Sequence, residues 1–174
     1  MKKAAVDIVQ GLTRFDDGLE SLSKYAKIAL PPPLTRLLSE NKEVSELAAE
    51  ALVNLSHNSQ LAAKMVQMGM IKTVMDLLYK PDSSITQLLV MLLVNLTQLD
   101  DGISSLLRRI QGLYLMKLVR SFCRSFSETS DDPFEHVGSI LVNISKKAGR
   151  KILLDQNRGP VKQIIRQFDS NSQL

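Results

Sequence analysis

Residues 51–56 read ALVNLS, residues 92–97 read LLVNLT and residues 140–145 read ILVNIS. Each is an apolar run broken by one asparagine (Asn54, Asn95, Asn143) and closed two residues later by a hydroxyl. Asparagine in a helix costs roughly 0.6 kcal/mol relative to alanine, so its return at one register needs a physical reason. An amide offers two donors and an acceptor. It can serve internally, bonding a carbonyl where the next helix turns away. It can also serve externally, meeting the main chain of a bound extended segment.

The spacings between the three asparagines are 41 and 48 residues, and a step of 43 back from Asn54 reaches Gly11 in VQGLT. The flanks keep the register: LTRFDDGLESL (12–22) and LTQLDDGISSL (96–106) agree at seven of eleven positions. Self-similarity at this period points to an all-α solenoid of about four repeats. Each repeat reads as three helices. The long, asparagine-bearing helices are expected at about 3–14, 42–57, 82–98 and 132–146. Short helices follow at 17–27, 59–67, 101–110 and 148–155, then medium ones at 30–39, 70–80, 113–126 and 160–168. Gly69, Gly112 and Gly159 stand where one helix ends and the next begins. Asp16-Asp17 and Asp100-Asp101 supply acceptors at helix starts. The run Pro31–Pro33 is expected to delay its helix by a turn, and the polar segment 125–134 to form an extended loop. No alternating β-branched pattern is present, so no strands are expected.

Composition agrees. The 174 residues are 44% hydrophobic and 23% charged, enough to bury a core, but only 5% aromatic with no Trp, so aliphatic helix packing must fill it. The single cysteine, Cys123, excludes an internal disulfide framework and fits a reducing compartment. The start MKKAAVDIVQ lacks the apolar core of a signal peptide, and the run 85–99 is too short and polar to span a bilayer. Residues 1–104 carry 10 Lys/Arg and 12 Asp/Glu, residues 105–174 carry 12 and 6, so the basic charge lies in the C-terminal part.

On each long helix the asparagine ends a polar ridge at helical spacing beside the apolar face. The ridges are Glu43, Glu46, Glu50, Asn54, then Ser84, Gln87, Met91, Asn95, then Asp132, Glu135 or His136, Ser139, Asn143. Met65, Met68, Met70, Met75 and Met116 read mostly as core, whereas Met91 falls on the ridge. The three N-x-[ST] matches are formal glycosylation acceptors, but their helical context assigns the hydroxyl to a backbone carbonyl near the helix end. The two DDG copies lack the alternating acids of a calcium loop. His57, His136 and Cys123 have no metal-ligand spacing, and no phosphate loop, nucleophile elbow or catalytic triad is present. No enzyme activity, metal or cofactor is expected.

The stretch EVSELAAEALVNLSHNSQLAAKMVQMGMIKTVMDLL (43–78) resembles an armadillo repeat, its asparagine matching the groove-lining asparagine of that family's third helix. The resemblance covers nearly the whole chain. It implies a single domain over 1–174, a right-handed α-solenoid of armadillo-like repeats that starts and ends mid-repeat, as a fragment of a longer solenoid would. Nuclear-import members carry a Trp one turn before the asparagine. Glu50, Met91 and Ser139 stand there instead, which argues against their lysine-stem pockets. LLVNLTQLDDGISSLL (92–107), KLVRSFCRSF (117–126) and DPFEHVGSILVNIS (132–145) resemble the eukaryotic HGH family, nearest its plant branch. RRIQGLYL (108–115) and SKKAGRK (145–151) are short relative to that family, and PPP is inserted.

The resemblance implies a cytosolic chaperone adaptor that assists the folding of translation elongation factor 2 and hands it to the ring-shaped chaperonin. The expected groove comprises Asn54, Asn95, Asn143, Glu43, Glu46, Glu50, Gln87, Met91, Ser139 and His136. The alternative is RNA binding through a basic strip of Arg108, Arg109, Lys146, Lys147, Arg150 and Lys151, which the lack of aromatic stacking platforms opposes. A purely structural solenoid segment is the third reading. A monomer, or a weak dimer through exposed solenoid ends, is expected.

Overall fold

A computed structural model describes residues 2–80, 84–108, 113–125, 136–146, 150 and 165–166. Every regular element among them is α-helix. The chain divides into two compact units, Met1–Leu96 and Thr97–Leu174.

The first unit contains α1 (Lys2–Leu12), α2 (Asp16–Lys24), α3 (Ala26–Ala29), α4 (Pro31–Leu37), α5 (Lys42–Leu55), α6 (Ser59–Gln67), α7 (Met70–Leu78) and α8 (Thr86–Leu96). The long helices of successive repeats lie side by side, with α5 packed against both α1 and α8. Helix α4 also packs on α5, and α6 and α7 cover α8. That crowding explains why α8 reads TQLLVMLLVNL, apolar on most sides: Leu89, Val90, Leu92, Leu93 and Leu96 are all buried. Leu52, Leu55, Leu61, Met65, Met70 and Met75 complete this core. Each fully buried aliphatic side chain contributes about 1.5–3 kcal/mol.

Local chemistry sets the helix ends. The Asn41 side chain accepts from the Val44 N–H at 3.1 Å and starts α5. The Asn58 side chain accepts from the N–H groups of Gln60 (3.0 Å) and Leu61 (3.2 Å) and starts α6. Gly69, at φ +81°, ends α6 in the left-handed conformation and opens α7.

Three expectations need correction. Asp16 and Asp17 do not cap. Phe15 occupies the cap position without a side-chain bond, and the two aspartates lie in the first turn, where their charge complements the helix dipole. Pro31–Pro33 do not delay α4 but form its first turn, because the first N–H groups of a helix have no intrahelical acceptor and proline loses nothing there. The short helix expected at 17–27 breaks at Tyr25 (φ −115°, ψ 29°) into α2 and α3. Gly18 of the first DDG is a packing position: a Cβ there would lie 2.0 Å from the Leu12 carbonyl oxygen.

The second unit contains α9 (Asp100–Arg108), α10 (Leu113–Ser125) and α11 (Val137–Ile144). Helix α10 packs against α9 and α11 over Leu106, Leu115, Leu118, Val119, Ile140 and Ile144. Of the expected helices at 148–155 and 160–168 only Arg150 and residues 165–166 are described, all helical; the loop at 126–134, the start of the helix at 132–146, and Gly112 and Gly159 lie outside the described residues, as does the Cys123 side chain. Among the described residues no helix is long and apolar enough to cross a membrane.

Candidate functional site

The three asparagines perform one operation at one register. Asn54 Nδ2 donates to Thr13 Oγ1 at 3.1 Å, Asn95 Nδ2 to Ser56 Oγ at 2.8 Å, and Asn143 Nδ2 to Thr97 Oγ1 at 3.2 Å. Each acceptor is the hydroxyl that closes the apolar run of the preceding repeat. The amide of one repeat is therefore fastened to the N-x-[ST] hydroxyl of the one before it. The first pair bridges α5 to the end of α1, and the second bridges α8 to the end of α5. The third lies in the second unit, between α11 and the residue that opens that unit.

The hydroxyls also fix which way the amides face. Thr13 donates its proton to the Gln10 carbonyl at 2.8 Å, and Ser56 donates to the Val53 carbonyl at 2.6 Å. A hydroxyl that has given its proton away can only accept. The NH₂ end of Asn54 and of Asn95 must therefore face inward. Asn95 Nδ2 also reaches the Val53 carbonyl at 3.5 Å. The carbonyl oxygens of Asn54 and Asn95 have no hydrogen-bond partner among the described residues, and both side chains are half-buried. Asn143 is buried, at 7% exposure. One N–H of each amide is thus committed to the preceding repeat, and the carbonyl oxygens of Asn54 and Asn95 stay open.

Glu50, one turn before Asn54, accepts from Gln10 Nε2 at 3.2 Å and adds a second rung between α1 and α5. Glu43 and Glu46 are exposed on the same ridge. On α8 and the turn before it, Ser84, Gln87 and Met91 are exposed, Met91 at 36%. In the second unit Ser139 is exposed on α11 and His136 is half-buried at its cap position. Of the basic strip, Lys146 and Arg150 are exposed; Arg109, Lys147, Lys151 and the Arg108 side chain lie outside the described residues. Among the described residues no three His, Cys, Asp or Glu side chains converge to hold a metal ion.

Sequence reading missed the acceptors Thr13, Ser56 and Thr97. The signal was present: the first repeat lacks the asparagine, at Gly11, yet keeps the hydroxyl, at Thr13. A hydroxyl that persists without its own asparagine serves a different one.

No curated protein matches the chain. Two crystal structures of engineered proteins resemble it in fold. One aligns at TM-score 0.66 and 17% identity over 97% of this chain and 71% of its own. The other aligns at TM-score 0.66 and 19% identity over 95% of this chain and 42% of its own. The family described as domain of unknown function (DUF383) matches residues 77–174. That match covers more than half of the sequence, and the chain belongs to the DUF383 family.

Proposed function

We propose that this chain is a non-enzymatic protein-interaction scaffold, a right-handed armadillo-type solenoid that acts in the cytoplasm as a chaperone adaptor for translation elongation factor 2 and passes it to the chaperonin. The observation that carries the scaffold reading is the α5–α8 surface of the first unit. Its amide acceptors, Asn54 and Asn95, are oriented by inter-repeat bonds, and the exposed Glu46, Gln87 and Met91 stand beside them. An oriented acceptor row flanked by carboxylates suits a segment that donates, through main-chain N–H groups or basic side chains. Met91 adds a flexible thioether that adapts to an irregular client surface. The adaptor role comes from the HGH-family resemblance, whose three stretches all fall within the DUF383 region, residues 77–174.

Direct binding of purified elongation factor 2 tests the reading. The variant Glu46→Lys/Met91→Ser changes exposed ridge positions and leaves Asn54, Asn95 and their acceptors unchanged. Binding weakened about tenfold or more, at an unchanged melting temperature, is the expected result. Equal binding by both proteins would move the site off this surface. No binding by the wild type would remove elongation factor 2 as the client.

A further inference from the structure

The break at Tyr25 has a second consequence. Where α3 departs from α2, the end of α2, α3 and the start of α6 enclose a surface depression of about 560 Å³. That volume falls within the range of pockets that hold ligands. Lys24, Lys27 and Lys64 line it, with Tyr25, Ile28 and Gln60. No carboxylate belongs to the lining. Tyr25 is 64% exposed and Ile28 73% exposed, so an aromatic ring and a branched aliphatic chain face solvent among three ammonium groups. Glu20 lies 3.4 Å from Lys24 Nζ; both side chains are largely exposed, and such a pair exchanges readily.

We propose that this depression docks a short acidic peptide segment of a partner protein, an apolar side chain of the segment seated on Tyr25 and Ile28 and its carboxylates on Lys24, Lys27 and Lys64. Charge decides between a peptide and a nucleic acid. The three lysines are a local cluster, set in a stretch (residues 1–104) that carries 10 basic against 12 acidic side chains. A long polyanion draws its affinity from an extended basic surface. A short segment needs only the local three lysines. A single tyrosine also gives no run of stacking platforms for bases. The pocket is separate from the α5–α8 ridge, so the two proposals stand or fall independently.

The test is fluorescence anisotropy with three labelled probes: a short Asp/Glu peptide carrying one central Phe, the same peptide with Lys in place of the acids, and a single-stranded oligonucleotide. The wild type should bind the acidic peptide in preference to both others. Lys24→Glu/Lys27→Glu/Lys64→Glu should weaken that binding about tenfold or more, since each exposed pair is weak alone. The matching Lys→Arg triple should retain it, and Ile28→Ser should weaken it without any change of charge. Should the charge-reversed triple not melt like the wild type, Lys27→Glu and Ile28→Ser alone carry the comparison. Equal binding by the wild type and these variants, or no binding of the acidic peptide by the wild type, overturns the proposal. Tighter binding of the oligonucleotide overturns it in favour of nucleic acid.

Discussion

Asn95 Nδ2 donates to the Ser56 hydroxyl at 2.8 Å across 39 residues, and that hydroxyl donates onward to the Val53 carbonyl at 2.6 Å. The chain of bonds has one direction, from the amide of a later repeat through a hydroxyl into the last turn of an earlier helix. Ser56 is 4% exposed while Asn95 is half-buried, so water replaces part of what is lost when the amide is truncated but not when the hydroxyl is. Asn95→Ala should destabilise by about 1 kcal/mol or less and Ser56→Ala by about 1–3 kcal/mol. Their combination should cost less than the sum, with a coupling of about 1 kcal/mol in a urea-denaturation double-mutant cycle. Strict additivity would mean that the bond carries no shared energy.

Two glycines in the first repeat should respond oppositely to alanine. Gly11 lies within α1, and a Cβ there would meet nothing within 4 Å. Gly11→Ala should stabilise by about 0.5–1 kcal/mol, the backbone entropy that glycine forfeits in a helix. At Gly18 the added Cβ would fall 2.0 Å from the Leu12 carbonyl oxygen, a backbone atom with no flexible end to swing away. Gly18→Ala should cost about 1–3 kcal/mol by overpacking. Thermal melts of the two variants should bracket the wild type.

Much of the fold was legible because period and punctuation are local. The 59–67 helix appears with the expected limits, α5 and α7 end two residues earlier than expected, and α10 begins at the expected Leu113. The corrections came where residue types have two uses. Aspartate at a helix start serves either as cap or as first-turn charge, and only the backbone of Phe15 decides. Proline delays or begins a helix according to which N–H groups need acceptors, and at 31–33 none do. The site was half legible. The asparagines announced themselves at helical register, but their acceptors lie about forty residues away, and a side-chain bond across that distance leaves no local pattern.

The caps actually used, Asn41 and Asn58, give a further prediction. Asn41 satisfies one backbone N–H, and Asn58 satisfies two. Replacing either with alanine should cost about 1 kcal/mol, with Asn58→Ala the more damaging. Chemical denaturation of the two variants reads this directly. A larger loss at Asn41 would show that bond count does not set the order.

Burial should rank the three inter-repeat amides. Asn143 is 7% exposed and its acceptor Thr97 is at 0%, whereas Asn54 is half-buried against Thr13 at 4%. Truncating Asn54 opens a space that solvent can reach, so water replaces part of the lost donor. Truncating Asn143 removes a donor from a hydroxyl that water does not reach, so water does not replace it. Asn143→Ala should therefore cost about 1–3 kcal/mol and Asn54→Ala about 1 kcal/mol or less. The amide protons of α11 should lose more hydrogen-exchange protection in the first variant than those of α5 in the second. Equal losses would mean that solvent access does not govern the strength of this bond.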